Sequence, residues 1–386
     1  MKADKYGIDM KKGVLNEGNL YRLTCVMKRA MCGEPVTVGF LGGSITQGCL
    51  SSVPETCYAF LVYKWWCEKF PGSKITYVNA GIGGTNSQFG VARVDDDLLS
   101  KKIDFVVVEF SVNDDDNVHF LETYEGLIRK IYRSETRPAV LIVNSVRYDD
   151  GKNAQDQHVK VGRAYGIPCV SMKQTIYEKI LDGTIVSHDI TGDDLHPNDL
   201  GHTLMAEVII NFLEEVYRGM GNVTAIDAES DTRATERIPV TDNAYENSVR
   251  YQNGNCQKIM VENTGFKADC EPQRDIREIF RCGWVADRKG AQITFRVECT
   301  CIGVQYRKSV ILPTPIARAV IDGDTARAIV LDGNFKETWG NSLYLETLAE
   351  HLPYGVHTVE IELTETHDED KVPFYLVSVI ASSGKG

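Results

Sequence analysis

The sequence predicts an α/β domain followed by an all-β domain, and the spacing of its apolar runs carries this prediction. In the first part, short runs rich in β-branched residues alternate with stretches long enough for helices, which is typical of a parallel sheet with helical crossovers. In the second part, strand-like runs follow one another with only Gly, Asp and Pro turns between them, which is typical of a β-sandwich or jelly roll. We expect domains at 1–221 and 246–386, with a polar linker or irregular segment at 222–245.

The predicted strands of the first domain are nearly continuous in apolar residues, so both faces of their sheet should be buried. In chain order they read VTVGFLG, KITYVNAG, FVVVEFS, AVLIVNS and IPCVSM. Amphipathic stretches between them predict the connecting helices, and LYRLTCVMKRAM predicts one more helix before the first strand. A final helix is predicted over PNDLGHTLMAEVIINFLEEVYRGM, with Pro197 just inside its start.

The second domain shows little helical periodicity. Its predicted strands are QITFRVECTCIGVQYR, RAVIDG, RAIVLDG, HTVEIELTE and FYLVSVIAS. Together they account for a sandwich of about 150 residues, a common size for one domain.

Net charge and cysteine content limit the binding partners and the cellular compartment that we expect. The net charge of -12 argues against a nucleic-acid binder, because such affinity is built from Lys and Arg contacts to phosphates. The sequence has neither a signal-peptide core near its start nor a run of about 18 apolar residues, so we expect a soluble, unexported protein that binds no membrane. Eleven cysteines without a CxxC pair indicate free thiols in a reducing cytoplasm. The oligomeric state stays open.

Polar and glycine-rich segments follow three successive predicted strands. They read GGS, NAGIGGTN and SVND. In an open α/β sheet, ligands bind at the carboxyl ends of the strands, so these segments should meet. Ser44 at a strand-to-helix turn offers a hydroxyl and a backbone N–H, Gly84 permits close approach of another N–H, and the amide of Asn113 can donate to an oxyanion.

A base for the Ser44 hydroxyl is available in GDDLHPND, in the loop before the final helix. An alcohol becomes a nucleophile when a base takes its proton, and that base needs an orienting acceptor. His196 is the candidate base and Asp193, three residues earlier, the candidate acceptor. Asp194 could take the acceptor role instead, since local spacing does not decide between the two.

Each of these motifs also has a simpler interpretation. Ser44 alone would be an ordinary helix cap, and GGSITQG lacks the lysine of a phosphate-binding loop. The three acids at 114–116 resemble a metal site but, without histidines, indicate a solvated loop. Glu109 interrupts an apolar strand, so we expect it to be buried, paired and structural. No metal or cofactor is expected.

The four motifs together resemble the SGNH subgroup of GDSL-type serine esterases. Ser44 matches the nucleophile block, Gly84 the glycine block, Asn113 the asparagine block, and Asp193 with His196 the Asp-x-x-His block, over roughly 35–217. One departure is GGS in place of the commoner GDS. The resemblance implies a flavodoxin-like three-layer α/β/α fold and hydrolysis through an acyl-enzyme, with Ser44 N–H, Gly84 N–H and Asn113 as the oxyanion hole.

Substrate choice is less determined, because the family includes lipases, thioesterases and sugar-ester deacetylases. The absence of an apolar lid weakens the lipase interpretation, and aromatic residues of the second domain, Trp339 and Trp284 first, suggest stacking on sugar rings. The architecture is similar to mannan acetyl esterases with a carbohydrate-binding module. We therefore expect O-acetyl ester hydrolysis on imported plant-type oligosaccharides, mannan before xylan. A lipid or thioester hydrolase and a non-catalytic carbohydrate-binding protein remain the alternatives.

Overall fold

The computed structural model describes residues 2–384, and the chain divides into two compact units between Asn243 and Ala244. The first unit contains one mixed sheet with helices, and the second contains two antiparallel sheets. This architecture confirms the predicted fold class. Within residues 2–384, every helix is too short or too polar to cross a membrane.

The sheet of the first unit has six strands in the order β1-β6-β5-β4-β2-β3. Their bounds are β1 Val14–Asn16, β2 Val36–Gly42, β3 Ile75–Gly81, β4 Phe105–Glu109, β5 Ala139–Asn144 and β6 Cys169–Ser171. Strands β2 to β6 run parallel, as predicted, and β4 and β5 are buried along their whole length. The short antiparallel strand β1 at the edge was not predicted. The chain reverses its winding direction between β2 and β4, so the ends of these strands form the expected binding edge.

Among residues 2–243, the first unit contains eleven α-helices. Their bounds are α1 Lys2–Lys5, α2 Tyr21–Met31, α3 Ser44–Gln47, α4 Tyr58–Lys69, α5 Ser87–Asp97, α6 Val118–Tyr132, α7 Gln155–Tyr165, α8 Glu178–Leu181, α9 Ser187–Ile190, α10 Asp199–Gly219 and α11 Ala225–Thr235. Helix α10 begins later than predicted, because the Asn198 side chain caps it by accepting from the N–H groups of Leu200 and Gly201 at 3.0 and 3.2 Å. Pro197 therefore precedes this helix instead of opening it.

The polar segment before the second unit is more ordered than its composition indicated. It contains α11, which Arg22 holds through a buried ion pair with Asp231 at 2.8 Å. Farther along, the buried carboxylate of Glu125 accepts from the Val240 N–H at 2.7 Å. Few apolar residues mark this segment, so hydrophobic periodicity could not reveal the helix.

The second unit is a two-sheet β structure. Its strands are β7 Val249–Tyr251, β8 Met260–Thr264, β9 Lys267–Ala268, β10 Trp284–Ala286, β11 Gln292–Cys299, β12 Cys301–Lys308, β13 Ile316–Ile321, β14 Ile329–Asp332, β15 Ser342–Ala349, β16 Gly355–Glu365 and β17 Phe374–Ser382. One sheet runs β15-β12-β17-β10-β9, with β7 also paired to β17, and the other runs β14-β13-β16-β11-β8. Side chains of both sheets share one apolar core, as a sandwich requires.

Candidate active site

The turn between β2 and α3 is closely packed, with two glycines before Ser44. A Cβ added to Gly42 would lie 2.4 Å from the Glu109 carbonyl oxygen, a backbone atom, and one added to Gly43 would lie 2.2 Å from Asn113 Oδ1. Both distances are far below van der Waals contact, so a side chain at position 42 would clash with backbone and one at position 43 would displace the Asn113 side chain. Glycine at position 43 of the GGS motif therefore leaves room for the close approach of the Asn113 side chain.

Ser44 opens α3 at the carboxyl end of β2, and its hydroxyl lies 2.8 Å from His196 Nε2. The other ring nitrogen, Nδ1, lies 2.6 Å from Asp193 Oδ2. A carboxylate only accepts hydrogen bonds, so Nδ1 carries a proton, and in its neutral form the ring can accept the Ser44 hydroxyl proton at Nε2. The structure thus brings together the three residues that the sequence singled out, in the order required for nucleophilic attack.

The geometry also distinguishes Asp193 from Asp194. Besides contacting the ring of His196, Asp193 accepts the backbone N–H groups of His196 and Leu195 at 2.7 and 3.1 Å. Asp194 has a left-handed backbone, with φ at +58°, and its carboxylate accepts the hydroxyl of Ser187 instead. Asp193 is therefore the carboxylate that orients the histidine ring.

Backbone and side-chain donors surround Ser44 on the side of the glycine block. A Cβ added to Gly83 would lie 3.6 Å from Ser44 Cβ, so this block passes directly beside the serine. The Gly83 N–H donates to Gln47 Oε1 at 2.6 Å, whereas Gly84, at φ +68°, faces open space. Among the described residues, the N–H groups of Ser44 and Gly84 and the Asn113 side-chain NH2 have no acceptor. These three donors are free to bind a developing oxyanion.

A second histidine, His202, supports the segment that follows Ser44. His202 is fully buried, its Nε2 lies 3.1 Å from the Cys49 carbonyl oxygen, and its Nδ1 accepts from the Tyr58 N–H at 3.3 Å. Burial lowers the pKa of His202 to about 4, so the ring is neutral at pH 7. His202 acts as a fixed structural link between α10 and the segment that follows α3.

The protonation states of His196 and Asp193 depend on their hydrogen bonds. Burial by itself would lower the pKa of His196, but interactions with Cys49 and Asp193 outweigh it and raise this pKa to about 9. Burial would raise the pKa of Asp193, but the hydrogen bonds from His196 outweigh that effect and hold it below its ordinary value. Asp193 is therefore ionised at neutral pH, and His196 becomes a free base only as the pH rises.

Two acidic residues differ from their predicted surroundings. Glu109 is buried as expected, but among the described residues it has no cationic partner, and the Ser111 hydroxyl donates to its Oε1 at 3.3 Å. Burial raises the pKa of Glu109 to about 7. Asp114 was expected in a solvated loop and is instead 5% exposed, paired with His158. No local pattern predicts this pairing, because the two residues are 44 positions apart.

The two tryptophans proposed to bind sugar occupy opposite environments in the second unit. Trp284 is 2% exposed and packs edge-on against Phe295 in the sandwich core, so the prediction that it stacks on substrate is wrong. Trp339 is 65% exposed and contacts Phe335 in the loop between β14 and β15. Of these two tryptophans, Trp339 is therefore the one that is accessible from solvent. Within residues 2–384, no cluster of three His, Cys, Asp or Glu side chains is placed to hold a metal ion.

Known proteins share both the motifs and the architecture. Residues 40–204 match the model of the GDSL-like Lipase/Acylhydrolase family. A two-domain esterase active on acetylated mannans, co-crystallised with mannopentaose, is 53% identical with a TM-score of 0.92, covering 98% of this chain and 99% of that one. Another crystal structure described as a two-domain esterase active on acetylated mannans gives a TM-score of 0.91 at the same identity. An acetylxylan esterase of Geobacillus stearothermophilus is 26% identical over 207 residues, which are 46% of this chain and 92% of that protein.

The fold, the arrangement at the strand ends and these similarities define a carboxylic ester hydrolase. Within that class, the chain belongs to the GDSL-like lipase/acylhydrolase family, and over nearly its whole length it is similar to two-domain esterases.

Proposed function

We propose that this protein removes O-acetyl groups from acetylated mannan oligosaccharides, with Ser44 as nucleophile, His196 as general base and Asp193 as orienting carboxylate. The observation that carries the reaction type is the continuous relay from Asp193 through His196 to Ser44, at 2.6 and 2.8 Å. The substrate class is supported by the 53% identity to the esterase active on acetylated mannans. Acetylated xylan is the second candidate, because an acetylxylan esterase is also related.

The reaction proceeds in two halves. His196 Nε2 takes the Ser44 proton as the oxygen attacks the acetyl carbonyl, and the negative charge on the carbonyl oxygen is held by the N–H groups of Ser44 and Gly84 and by Asn113 Nδ2. His196 then returns the proton to the sugar hydroxyl, which leaves. Water attacks the acetyl-enzyme by the same route, releases acetate and regenerates Ser44.

Trp339 is the residue of the second unit that we propose to bind substrate. Its exposed indole offers a flat apolar face for a sugar ring, and Phe335 supports it from one edge. Trp284 is excluded by its burial.

We also infer that the protein works in a reducing compartment, the cytoplasm. The support is that its eleven cysteines are all free thiols, Cys32 and Cys270 at exposed positions. Fractionation of the source cells with compartment markers would test this, and recovery outside the cytoplasm would contradict it.

The substrate proposal is tested by mass spectrometry of acetylated mannan, xylan and pectin oligosaccharides before and after incubation. We expect loss of acetyl groups from mannan first, and unchanged masses of all three would contradict the proposal.

A series of esters that differ in acyl length distinguishes the proposed deacetylase from the alternative, a lipid or thioester hydrolase. We expect acetyl esters to be cleaved fastest, whereas equal or faster cleavage of octanoyl esters would contradict the deacetylase assignment.

A further inference from the structure

The carboxylate of Asp114 joins the two segments that carry the oxyanion donors. Its Oδ1 accepts the backbone N–H of Ser87 at 2.8 Å, and its Oδ2 lies 3.0 Å from His158 Nε2. Asp114 directly follows Asn113, and Ser87 comes three residues after Gly84. One side chain therefore sets the spacing between the asparagine segment and the glycine segment.

His158 fixes the position of that carboxylate from behind. The ring is fully buried and stacked on Tyr124, with centroids 3.5 Å apart and planes within 9°. Because a carboxylate can only accept, Nε2 carries the proton, and Nδ1 has no partner among the described residues. The ring thus has one hydrogen bond that determines its tautomer, and that bond goes to Asp114.

Helix α7 is also tied to the asparagine segment through the backbone. The Ala154 N–H, at the cap of α7, donates to the Ser111 carbonyl oxygen at 2.7 Å, and the His158 N–H donates to the Ala154 carbonyl oxygen at 3.1 Å. The segment that carries Asp114 and the helix that carries His158 are therefore also joined by backbone hydrogen bonds. Little freedom is left for the carboxylate to move on its own.

We propose that Asp114, held by His158, is the positioning residue of the oxyanion hole. It touches no reacting atom, and acts by holding Asn113 Nδ2 and the Gly84 N–H at one mutual distance. This inference rests on the proposed function, because it needs Asn113 and Gly84 to bind the oxyanion. A donor displaced by about 1 Å forfeits much of its effect, and loss of one oxyanion donor costs about 10²- to 10³-fold in kcat.

The first test is Asp114→Asn in the full-length protein, assayed with 4-nitrophenyl acetate and with a trifluoromethyl ketone inhibitor. The amide keeps an acceptor for Ser87, but its NH2 can bond to His158 Nε2 only if the ring moves its proton to Nδ1. Nδ1 is buried and has no acceptor among the described residues, so the link between Asp114 and His158 is weakened. We expect kcat to fall about 10- to 100-fold with KM nearly unchanged, because the oxyanion exists only after attack. The inhibition constant of the ketone, whose adduct carries the same oxyanion, should rise in parallel with the fall in kcat.

Two substitutions of His158 provide a second, independent test should Asp114→Asn not fold. His158→Leu fills the space without a donor, whereas His158→Gln retains an N–H for Asp114. We expect the leucine variant to reproduce the loss of kcat and the glutamine variant to recover most of it. Asp231→Asn is the matched control, since it weakens a buried ion pair with Arg22 between α2 and α11. That control should lower the melting temperature and leave kcat and the inhibition constant unchanged.

Wild-type kcat and inhibition constant in folded Asp114→Asn would overturn the proposal, as would equal losses in the leucine and glutamine variants of His158. Ser44→Ala separates this failure from failure of the proposed function. If Ser44→Ala abolishes turnover while Asp114→Asn does not affect it, only the positioning role is wrong. If Ser44→Ala retains turnover, the esterase mechanism itself is wrong.

Discussion

The two units of the chain bury different kinds of side chain, polar groups near the strand ends in the first and mainly apolar groups in the second. The first unit places polar groups such as Asp114, His158 and Glu109 in its interior near the strand ends, although burying such groups is costly. The second unit fills its core with apolar and aromatic groups such as Trp284 and Phe295. We interpret the polar burial near the strand ends as support for the proposed chemistry, and the aromatic burial in the second unit as support for its stability. Trp339 differs from Trp284 in being exposed, as Tyr344 and Tyr354 also are.

The largest expected effect is on the chemistry of the first unit. Ser44→Ala removes the nucleophile, and we expect kcat for acetyl esters to fall by at least about 10⁴-fold with the melting temperature unchanged. Steady-state kinetics and thermal denaturation measure both quantities. Ser51→Ala is the control in the segment after α3, because the Ser51 hydroxyl donates to the Gly48 carbonyl oxygen at 2.6 Å. It should stay close to wild-type activity, and an equal loss there would mean that the local structure around α3, not the nucleophile, was tested.

The next effect is on the stability of the second unit. Trp284→Ala opens a cavity in the sandwich core, and we expect it to lower the free energy of unfolding by about 3–5 kcal/mol. Denaturant titration of the full-length chain measures the change. Trp339→Ala is the matched substitution, and its exposed side chain should cost less than about 0.5 kcal/mol. Equal losses for the two would contradict the assignment of one tryptophan to the core and the other to the surface.

A smaller effect is expected on substrate affinity. Trp339→Ala should raise KM for acetylated mannan oligosaccharides by about 5- to 10-fold, because a stacking contact contributes about 1 kcal/mol or more. Turnover of 4-nitrophenyl acetate, which has no sugar ring, should not change. Comparison of the two substrates makes this a test of sugar binding and not of general activity. An equal decrease on both substrates would argue against the stacking role.

The smallest expected effect is on pH dependence. His196 acts as a base only when neutral, so kcat/KM should rise with pH through the raised pKa, towards about 9 and above the ordinary value near 6.5. Cys49→Ala removes one of the interactions that raise this pKa, and the midpoint should move to lower pH. A pH profile of kcat/KM for both forms measures the shift. A midpoint that does not move would show that Cys49 does not influence His196.

The sequence predicted the parts of the site that local patterns encode. Ser44, Gly84 and Asn113 follow apolar strands, so the geometry of a parallel sheet brings them together, and Asp193 with His196 is a local pair. The Asp114–His158 pair could not be predicted, because it joins positions far apart along the chain. Hydrophobic patterning also could not separate Trp284 from Trp339. Trp284 is buried because two sheets, whose strands are far apart along the chain, pack against each other around it.

The most direct test of the account is labelling with a fluorophosphonate, which reacts with an activated serine. We predict one adduct per chain on the peptide containing Ser44, loss of esterase activity in proportion to labelling, and slower labelling in the presence of acetylated mannan oligosaccharides. His196→Ala should prevent the reaction, because the serine then lacks its base. Inactivation without modification of Ser44, or full modification of Ser44 without loss of deacetylation, would contradict the central claim.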